Sequence, residues 1–409
     1  MMTRWIFFIL IILGFNWYSS LAIKTITKNP WFYYGYLTLN LIIIINFVAQ
    51  IILKNFSSYF FYSLGLVLVI SFFQISITLF LLLEDFIRLP VWIYNLFNKG
   101  SENVISFIPQ RRLFISQLSI LLASIPASAL LIGMIRGKYN YKVIKHQLSF
   151  ERLPVDFHGF KIIHISDFHC GSFDNKKKFS YGIDLINQQN ADIILFTGDM
   201  VNNIADEILP WKELISSLKA PYGKYAVLGN HDYGDYTAWD KQEDKINNFK
   251  KLIALENEMG FTVLNNRNEK IKIKDSSIDL LGVENWGSGF KQKGNLDMAL
   301  GGTKPEDFKI LMSHDPTHWQ EKVLVHQQKI DLTLSGHTHG MQFGIEIPGI
   351  IKWSPAKYRY KHWAGIYQEF DQLINVNRGF GFLAYPGRVG IYPEITCITL
   401  QKQEPSNNT

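Results

Sequence analysis

The sequence predicts a multi-pass α-helical membrane domain followed by a soluble α/β domain. Three observations carry that prediction. Charge is divided unevenly: residues 1–150 hold 12 Lys and Arg against 3 Asp and Glu, net +9, while residues 151–409 hold 29 against 32, net −3. Four stretches in the first third contain no charged residue. From about residue 139, short β-rich runs alternate with amphipathic helical patterns, as in layered α/β domains. A length of 409 residues fits two or three domains. A composition of 47% hydrophobic and 19% charged residues excludes a disordered chain.

The uncharged stretches are 5–23, 29–53, 55–83 and 113–135. Each is close to or above the ~20 apolar residues that a helix needs to cross the hydrocarbon core. Runs such as 41–45 and 64–70 lack a polar stripe, unlike one-sided soluble helices. Trp31, Phe32, Tyr33, Tyr34 and Tyr36 sit where interfacial aromatics belong. The stretch after Arg4 reads as an uncleaved first span rather than a signal peptide, because a second hydrophobic run follows within a few residues. Segment 84–112, rich in apolar residues, is expected to be a loop lying along the membrane interface. Lys and Arg divide six against six between the two sides of a four-span topology. The densest cluster, Arg136, Lys138, Lys142 and Lys145, follows the last span and favours a cytoplasmic C-terminal domain. The positive excess gathers at the span edges, where lipid head groups meet it, so nucleic acid is not the expected partner. None of the four uncharged spans holds the intramembrane charge of an ion pathway, which argues against a transporter.

In the second part, strands are expected over 161–166, 192–197, 224–228, 278–283, 308–313 and 331–335. Helices are expected over 178–190, 205–219 and 244–259. Chemistry-bearing residues follow the strand ends: Asp167-Phe-His169, Gly198-Asp199-Met-Val-Asn202, Gly229-Asn230-His231-Asp232, His314, and Gly336-His337-Thr-His339. The carboxyl edge of an α/β sheet is where a site is expected. Asp, Asn and His without thiolates suit Mn, Fe or Zn. In an extended strand end, residues i and i+2 point the same way, so Asp167 with His169, and His337 with His339, could each aim two ligands at one cavity. Cys170 and Cys397 are too far apart in sequence to form a disulfide framework.

This ordered set of five motifs resembles the calcineurin-like metallophosphoesterases, over roughly residues 158–400. The closest-looking branch is bacterial and membrane-associated, and some of its members resemble UDP-2,3-diacylglucosamine pyrophosphatases. The resemblance implies a four-layer α/β/β/α sandwich holding two divalent metal ions. One ion would be held by Asp167, His169, Asp199 and His339, the other by Asp199, Asn230, His314 and His337, with Asp199 bridging. His231 would stand beside the scissile phosphate and stabilise charge or protonate the leaving oxygen. The ions would clamp the phosphoryl oxygens and generate hydroxide near neutral pH. Met341 departs from the family pattern, where a second Gly is usual, and Asn202 stands where Asp is frequent. The implied domains are a membrane domain over 1–136, a linker with the first strand over 137–157, the phosphoesterase over 158–401 and a polar tail over 402–409.

The implied function is membrane-anchored hydrolysis of a phosphodiester or pyrophosphate, with membrane lipids as surroundings and a lipid-linked compound as candidate substrate. The competing readings are a tethered nucleotide or protein phosphatase and a catalytically silent membrane sensor or scaffold. The silent reading is disfavoured because no ligand position is lost. His146, His158, His164, His318, His326 and His362 read as surface or packing residues, His164 supporting the site from behind. Cys170 reads as a small packing residue. Lys352, Lys357, Arg359 and Lys361, interleaved with Trp353, Tyr358, Tyr360 and Trp363, suit a membrane surface or a solvated loop. Segment 232–251 reads as an exposed crossover rather than a lid.

Overall fold

The computed structural model describes residues 2–53, 58–97, 109–347 and 349–403. The chain divides into two compact units, Met1–Ile135 and Arg136–Thr409.

The first unit consists of four helices: α1 (Met2–Ile26), α2 (Pro30–Ile52), α3 (Ser58–Phe97) and α4 (Pro109–Ile135). All four are long and apolar enough to cross a membrane. Asn29 caps α2 by accepting the Trp31 N–H at 3.0 Å. Ile12, Ile44, Phe47 and Val67 pack in one cluster, and Ala22, Ile77, Leu81 and Ala123 in another. Gln74 lies buried between Asn16 and Asn40, donating to their oxygens at 3.3 and 3.2 Å.

The expected interfacial loop over 84–112 is corrected in its first half. Helix α3 runs on through Glu84, Asp85 and Arg88 to Phe97, past Pro90, while 98–108 lie outside the described residues. The charges do not end the helix because they are paired. Glu84, its side chain 3% exposed, bonds to Arg112 of α4, which also holds Asp85 at 2.8 Å.

The second unit carries fourteen described strands. They are β1 (Lys142–Phe150), β2 (Lys161–Ile165), β3 (Ile193–Phe196), β4 (Lys224–Ala226), β5 (Phe261–Val263), β6 (Arg267–Ile273) and β7 (Ser276–Gly282). Then come β8 (Lys309–Met312), β9 (Leu332–Ser335), β10 (Ile345–Ile347), β11 (Ile351–Trp353), β12 (Gly365–Glu369), β13 (Gln372–Val376) and β14 (Glu394–Lys402). One six-stranded sheet has the order β1-β14-β2-β3-β4-β5 and the other β12-β13-β9-β8-β7-β6, while β10 and β11 form a hairpin.

Successive residues of a strand face opposite sides, and β2 shows what that does here. Ile162 joins Leu195 and Ile398 against Ile278, Ile310 and Leu332, the core between the sheets. Ile163 points outward, with Phe196, onto Phe179 and Ile183 of α5 (Lys176–Asn187). On the far side, Leu311 and Ile374 pack with Trp319 and Val323. The layers are therefore α/β/β/α, as the resemblance implied.

The single helix expected over 205–219 is instead a 3-10 turn, Ala205–Ile208, followed by α6 (Lys212–Ser216). Pro210 lies between them and supplies no N–H to a continuous helix. The helix expected at 244–259 forms as α7 (Gln242–Glu258), with Leu252 and Leu255 buried in the outer core. A last helical turn is α8 (Leu296–Ala299).

Candidate metal centre

The site forms where β2, β3, β8 and β9 end. All of these but β8 deliver their side chains through left-handed turns just past the strand end, and the loop after β4 adds Asn230 and His231. Asp167, His169, Asp199, His337 and His339 all have φ between +49° and +70°. This left-handed region costs an L side chain about 1–2 kcal/mol per residue, so strain is concentrated at the site. The pleat reasoning thus paired Asp167 with His169 for a different reason, while His337 and His339 fall in separate ligand groups. Asp167 and His169 converge through left-handed turns rather than along an extended edge. Gly336 is required by space: a Cβ there would lie 2.3 Å from Asp167 Oδ2.

Two ligand groups result, Asp167 with His169 and His339, and Asp199 with His314 and His337. In the first, His339 Nε2 is 3.1 Å from His169 Nε2 and 3.2 Å from Asp167 Oδ1. In the second, His314 Nε2 is 3.2 Å from Asp199 Oδ2 and from His337 Nδ1. Asp199 Oδ2 also lies 3.6 Å from His169 Nε2, so this one oxygen stands between the groups. Ligands bound at ~2.0–2.2 Å to one ion are themselves about 3–3.5 Å apart, which matches these separations. Asn230 Oδ1 is buried without a hydrogen-bond partner, as a carbonyl oxygen reserved for a cation would be. Its amide donates to Tyr236 Oη at 2.9 Å. The residues present therefore fit divalent ions.

Neighbours fix which ring nitrogen faces inward. His314 Nδ1 donates to the Thr197 carbonyl at 2.7 Å, leaving Nε2 for the centre. His337 Nε2 meets Tyr360 Oη at 2.9 Å and Asp315 Oδ2 at 3.4 Å, leaving Nδ1. Arg388, fully buried, places Nη2 3.0 Å from His339 Nδ1 and donates to the carbonyls of Gly381 and Arg378. His231 lies beside His169, ring centroids 4.9 Å apart. It donates Nδ1–H to the Asn202 carbonyl at 2.7 Å and its backbone N–H to Asp199 Oδ1 at 2.8 Å.

Burial opposes charge on His314, but Asp199 outweighs it and raises the pKa to about 10. Burial depresses His169 well below its ordinary range, outweighing the attraction of Asp199. Burial and then Asp199 lift Asp232 to about 7. A divalent ion binding here must displace the His314 proton.

The seven expected ligand residues and His231 are therefore brought together. Residues the sequence reading gave no role surround them. Asp232 accepts the backbone N–H groups of Asp199, Met200 and Gly229 at 2.8–2.9 Å, tying two site loops together. Its place in Gly-Asn-His-Asp was the available signal. Tyr236 and Arg388 had none, Asp315 adjoins His314 in Ser-His-Asp-Pro, and Tyr360 stands out in the sequence only as part of the basic-aromatic segment. Met341, the departure from the family pattern, takes a left-handed φ of +49° that glycine adopts more easily.

His164 bonds to Thr197 Oγ1 at 2.9 Å and, through Nδ1, to Asn375 at 2.7 Å, behind the site as expected. Cys170 and Cys397 are buried and free. The basic-aromatic segment is only partly available to a membrane surface. Tyr360 and Trp363 are buried in a cluster with Ile391, and Lys352 Nζ is turned in to the Ala364 carbonyl.

Residues 160–341 match the family model for the calcineurin-like phosphoesterase domain. Residues 3–138 match the one described as a probable calcineurin-like phosphoesterase transmembrane domain. The uncharacterized metallophosphoesterase YkuE of Bacillus subtilis is 31% identical over 296 residues, covering 68% of this chain and 94% of that protein. The chain belongs to the calcineurin-like metallophosphoesterases. A transmembrane protein with metallophosphoesterase domain from Danio rerio is 26% identical, over 69% of this chain and 63% of its own length. An uncharacterized metallophosphoesterase of Helicobacter pylori is 27% identical, over 66% of each chain. This chain is thus a membrane-associated member of the family. Its four long helices correspond to the transmembrane model, and its paired sheets carry the phosphoesterase motifs.

Proposed function

We propose that the protein hydrolyses a phosphodiester or pyrophosphate bond, on a lipid-linked substrate, with two divalent ions. The observation that carries this reading is Asp199 Oδ2, 3.6 Å from the ligand nitrogen of one group and 3.2 Å from that of the other. A carboxylate so placed is suited to bridge two ions. Asp167, His169 and His339 would complete one ion's ligands, and Asn230, His314 and His337 the other's. Bound there, a pair of ions supplies Lewis-acid polarisation of the phosphoryl group and hydroxide at neutral pH. The chain's own residues do the rest. Tyr360 and Thr197 hold the rings of His337 and His314 in their ligand orientation. His231, with Nδ1–H committed to Asn202, keeps Nε2 for the leaving oxygen, which must gain a proton as it departs.

Four spans support a substrate held at the bilayer. The Lys and Arg cluster from Arg136 to Lys145 supports a cytoplasmic catalytic unit on a bacterial inner membrane. The decisive assay uses detergent-solubilised full chain, stripped of metal and reloaded with Mn²⁺, against lipid phosphodiesters, lipid pyrophosphates, soluble nucleotides and bis-nitrophenyl phosphate. Turnover that depends on added metal, is highest on a lipid substrate and is abolished in Asp199→Asn together with metal content at both sites is the expected result. Failure on every ester would sink the hydrolase reading. A strong preference for soluble nucleotides would sink the lipid-linked one.

A further inference from the structure

Beside the second ligand group stand three aromatic side chains, Tyr236, Phe290 and Tyr360, and one cation, Arg359. Tyr236 lies against His231, ring centroids 4.4 Å apart, and is 51% exposed. Opposite, the Phe290 ring meets His337 edge-on at 4.7 Å. Tyr360, whose hydroxyl is 2.9 Å from His337 Nε2, adjoins Arg359 in the chain. The Arg359 guanidinium lies 5.4 Å from the ring centroids of both Phe290 and Tyr360.

Arg359 is unlike the other cations of its segment. Lys361 is paired with Glu369 at 2.6 Å, Lys352 is turned into the fold, and Lys357 lies over Tyr358, which faces away at 76% exposed. Among the described residues, no carboxylate lies within 4.0 Å of Arg359. Of the acids near these rings, Asp315 is fully buried, with Oδ1 accepting both the N–H and hydroxyl of Thr317, and Asp235 is paired with Lys245 and Lys291. The guanidinium thus sits beside two aromatic rings while the residue stays exposed, so its N–H groups can make a forked bond to a planar or tetrahedral oxyanion. The scissile phosphate already has the metal ligands and His231. An exposed guanidinium set one hydrogen-bonded phenol away from His337 is placed for the next anionic group along the substrate.

We propose that Arg359, backed by Phe290 and Tyr360, is a specificity subsite for a second oxyanion adjacent to the scissile phosphate. The inference rests on the phosphoesterase reading and adds a substrate requirement to it. The oxyanion is a second phosphate or a carboxylate, and both offer two oxygens to the guanidinium fork.

The test uses the full chain in detergent with Mn²⁺ and three nitrophenyl phosphate esters sharing one leaving group. The other ester group on phosphorus is methyl, carboxymethyl or phosphonomethyl. The wild type is expected to favour at least one anionic ester over the methyl ester in kcat/KM, and the favoured one names the source of the oxyanion. Arg359→Ala should lower that anionic-over-neutral ratio about tenfold, through KM, with Arg359→Lys recovering part of it and Lys357→Ala retaining it. Calorimetric affinity for dimethyl methylenediphosphonate or phosphonoacetate, relative to dimethyl phosphate, should fall in parallel for Arg359→Ala. A wild type without anionic preference, or an Arg359→Ala variant that keeps the ratio, overturns the subsite while leaving the hydrolase reading intact. Equal loss on all three esters assigns Arg359 a structural role and also overturns it. No turnover of any ester, with metal bound, removes the phosphoesterase reading on which it rests.

Discussion

Among the imidazoles at the centre, His231 is set apart by where its contacts lie. His169, His314, His337 and His339 each direct a ring nitrogen to within 3.1–3.6 Å of another ligand atom of the two groups. The ring contact of His231 is instead with the Asn202 carbonyl, and its link to Asp199 runs through its backbone N–H. Removing its ring should therefore leave the ligand set whole and cost rate. His231→Asn is expected to keep wild-type metal content by elemental analysis and lose about 10²–10⁴ in kcat, the range for a general acid. Metal loss in this variant would reassign it to the ligand set. These residues were legible because each stands in a short motif whose donor types narrow the chemistry. Arg388 and Tyr360 were not, because they act across 49 and 23 positions of sequence, on His339 and His337 respectively, and no local pattern ties them to the site. Even the legible pair of Asp167 and His169 was explained by the wrong local geometry. Alternation along a strand ignores the strain that a crowded ionic site can impose on its backbone.

At the scale of elements, the sequence pattern located strands and helices well where burial alternates cleanly and poorly where charges are buried. Helix α3 illustrates the second case. Glu84 and Asp85 look like the end of a span until Arg112, on another helix, is known to face them. Removing one member of a buried pair strands the other, at a cost of about 3–5 kcal/mol when fully buried. Arg112 is 15% exposed and Glu84 also has Arg88 at 3.6 Å, so about 2–3 kcal/mol is the expected loss. Arg112→Gln should lower the unfolding temperature of the full chain in detergent, and Glu84→Gln added to it should restore more than half. A double variant as unstable as the single one would place the effect elsewhere.

Helix α7 holds a related case, Glu256, fully buried with neither oxygen bonded. Burial, and after it the nearby Asp232, raises its pKa well above the ordinary 4.5. The folded protein holds this proton while the unfolded chain releases it near 4.5, so the contribution is complete below that value and is lost as pH rises towards the folded pKa. Asp232, raised to about 7, adds a slope of the same sign. Glu256→Gln should gain stability relative to wild type in chemical unfolding as pH rises from about 5 to about 8. Equal stability at both values would mean that Glu256 is not held protonated.

For the whole molecule, the formal charge of +6 describes neither unit, and the division that exposes them also separates their tasks. Divided at the unit boundary, residues 1–135 carry 8 Lys and Arg against 3 Asp and Glu, net +5, and residues 136–409 carry 33 against 32, net +1, so most of the positive excess belongs to the apolar helices, where it suits phospholipid head groups. The net −3 of residues 151–409 includes Asp167 and Asp199, whose charge two ions would offset. Both ligand groups, Asn230, His231, and the residues that orient them fall within Arg136–Thr409. Catalysis and membrane attachment should then be separable. A chain beginning at residue 136 is expected to bind the same number of metal ions as the full chain and to hydrolyse bis-nitrophenyl phosphate with kcat/KM within a few-fold of it. If the substrate is lipid-linked, the full chain in vesicles should outpace the shortened one on lipid esters by 10²-fold or more. Holding enzyme and substrate in one bilayer raises their effective concentration without any new contact. A shortened chain that folds but binds no metal would show that the helices help to build the centre. Equal rates on lipid esters would leave the four spans without a catalytic reason.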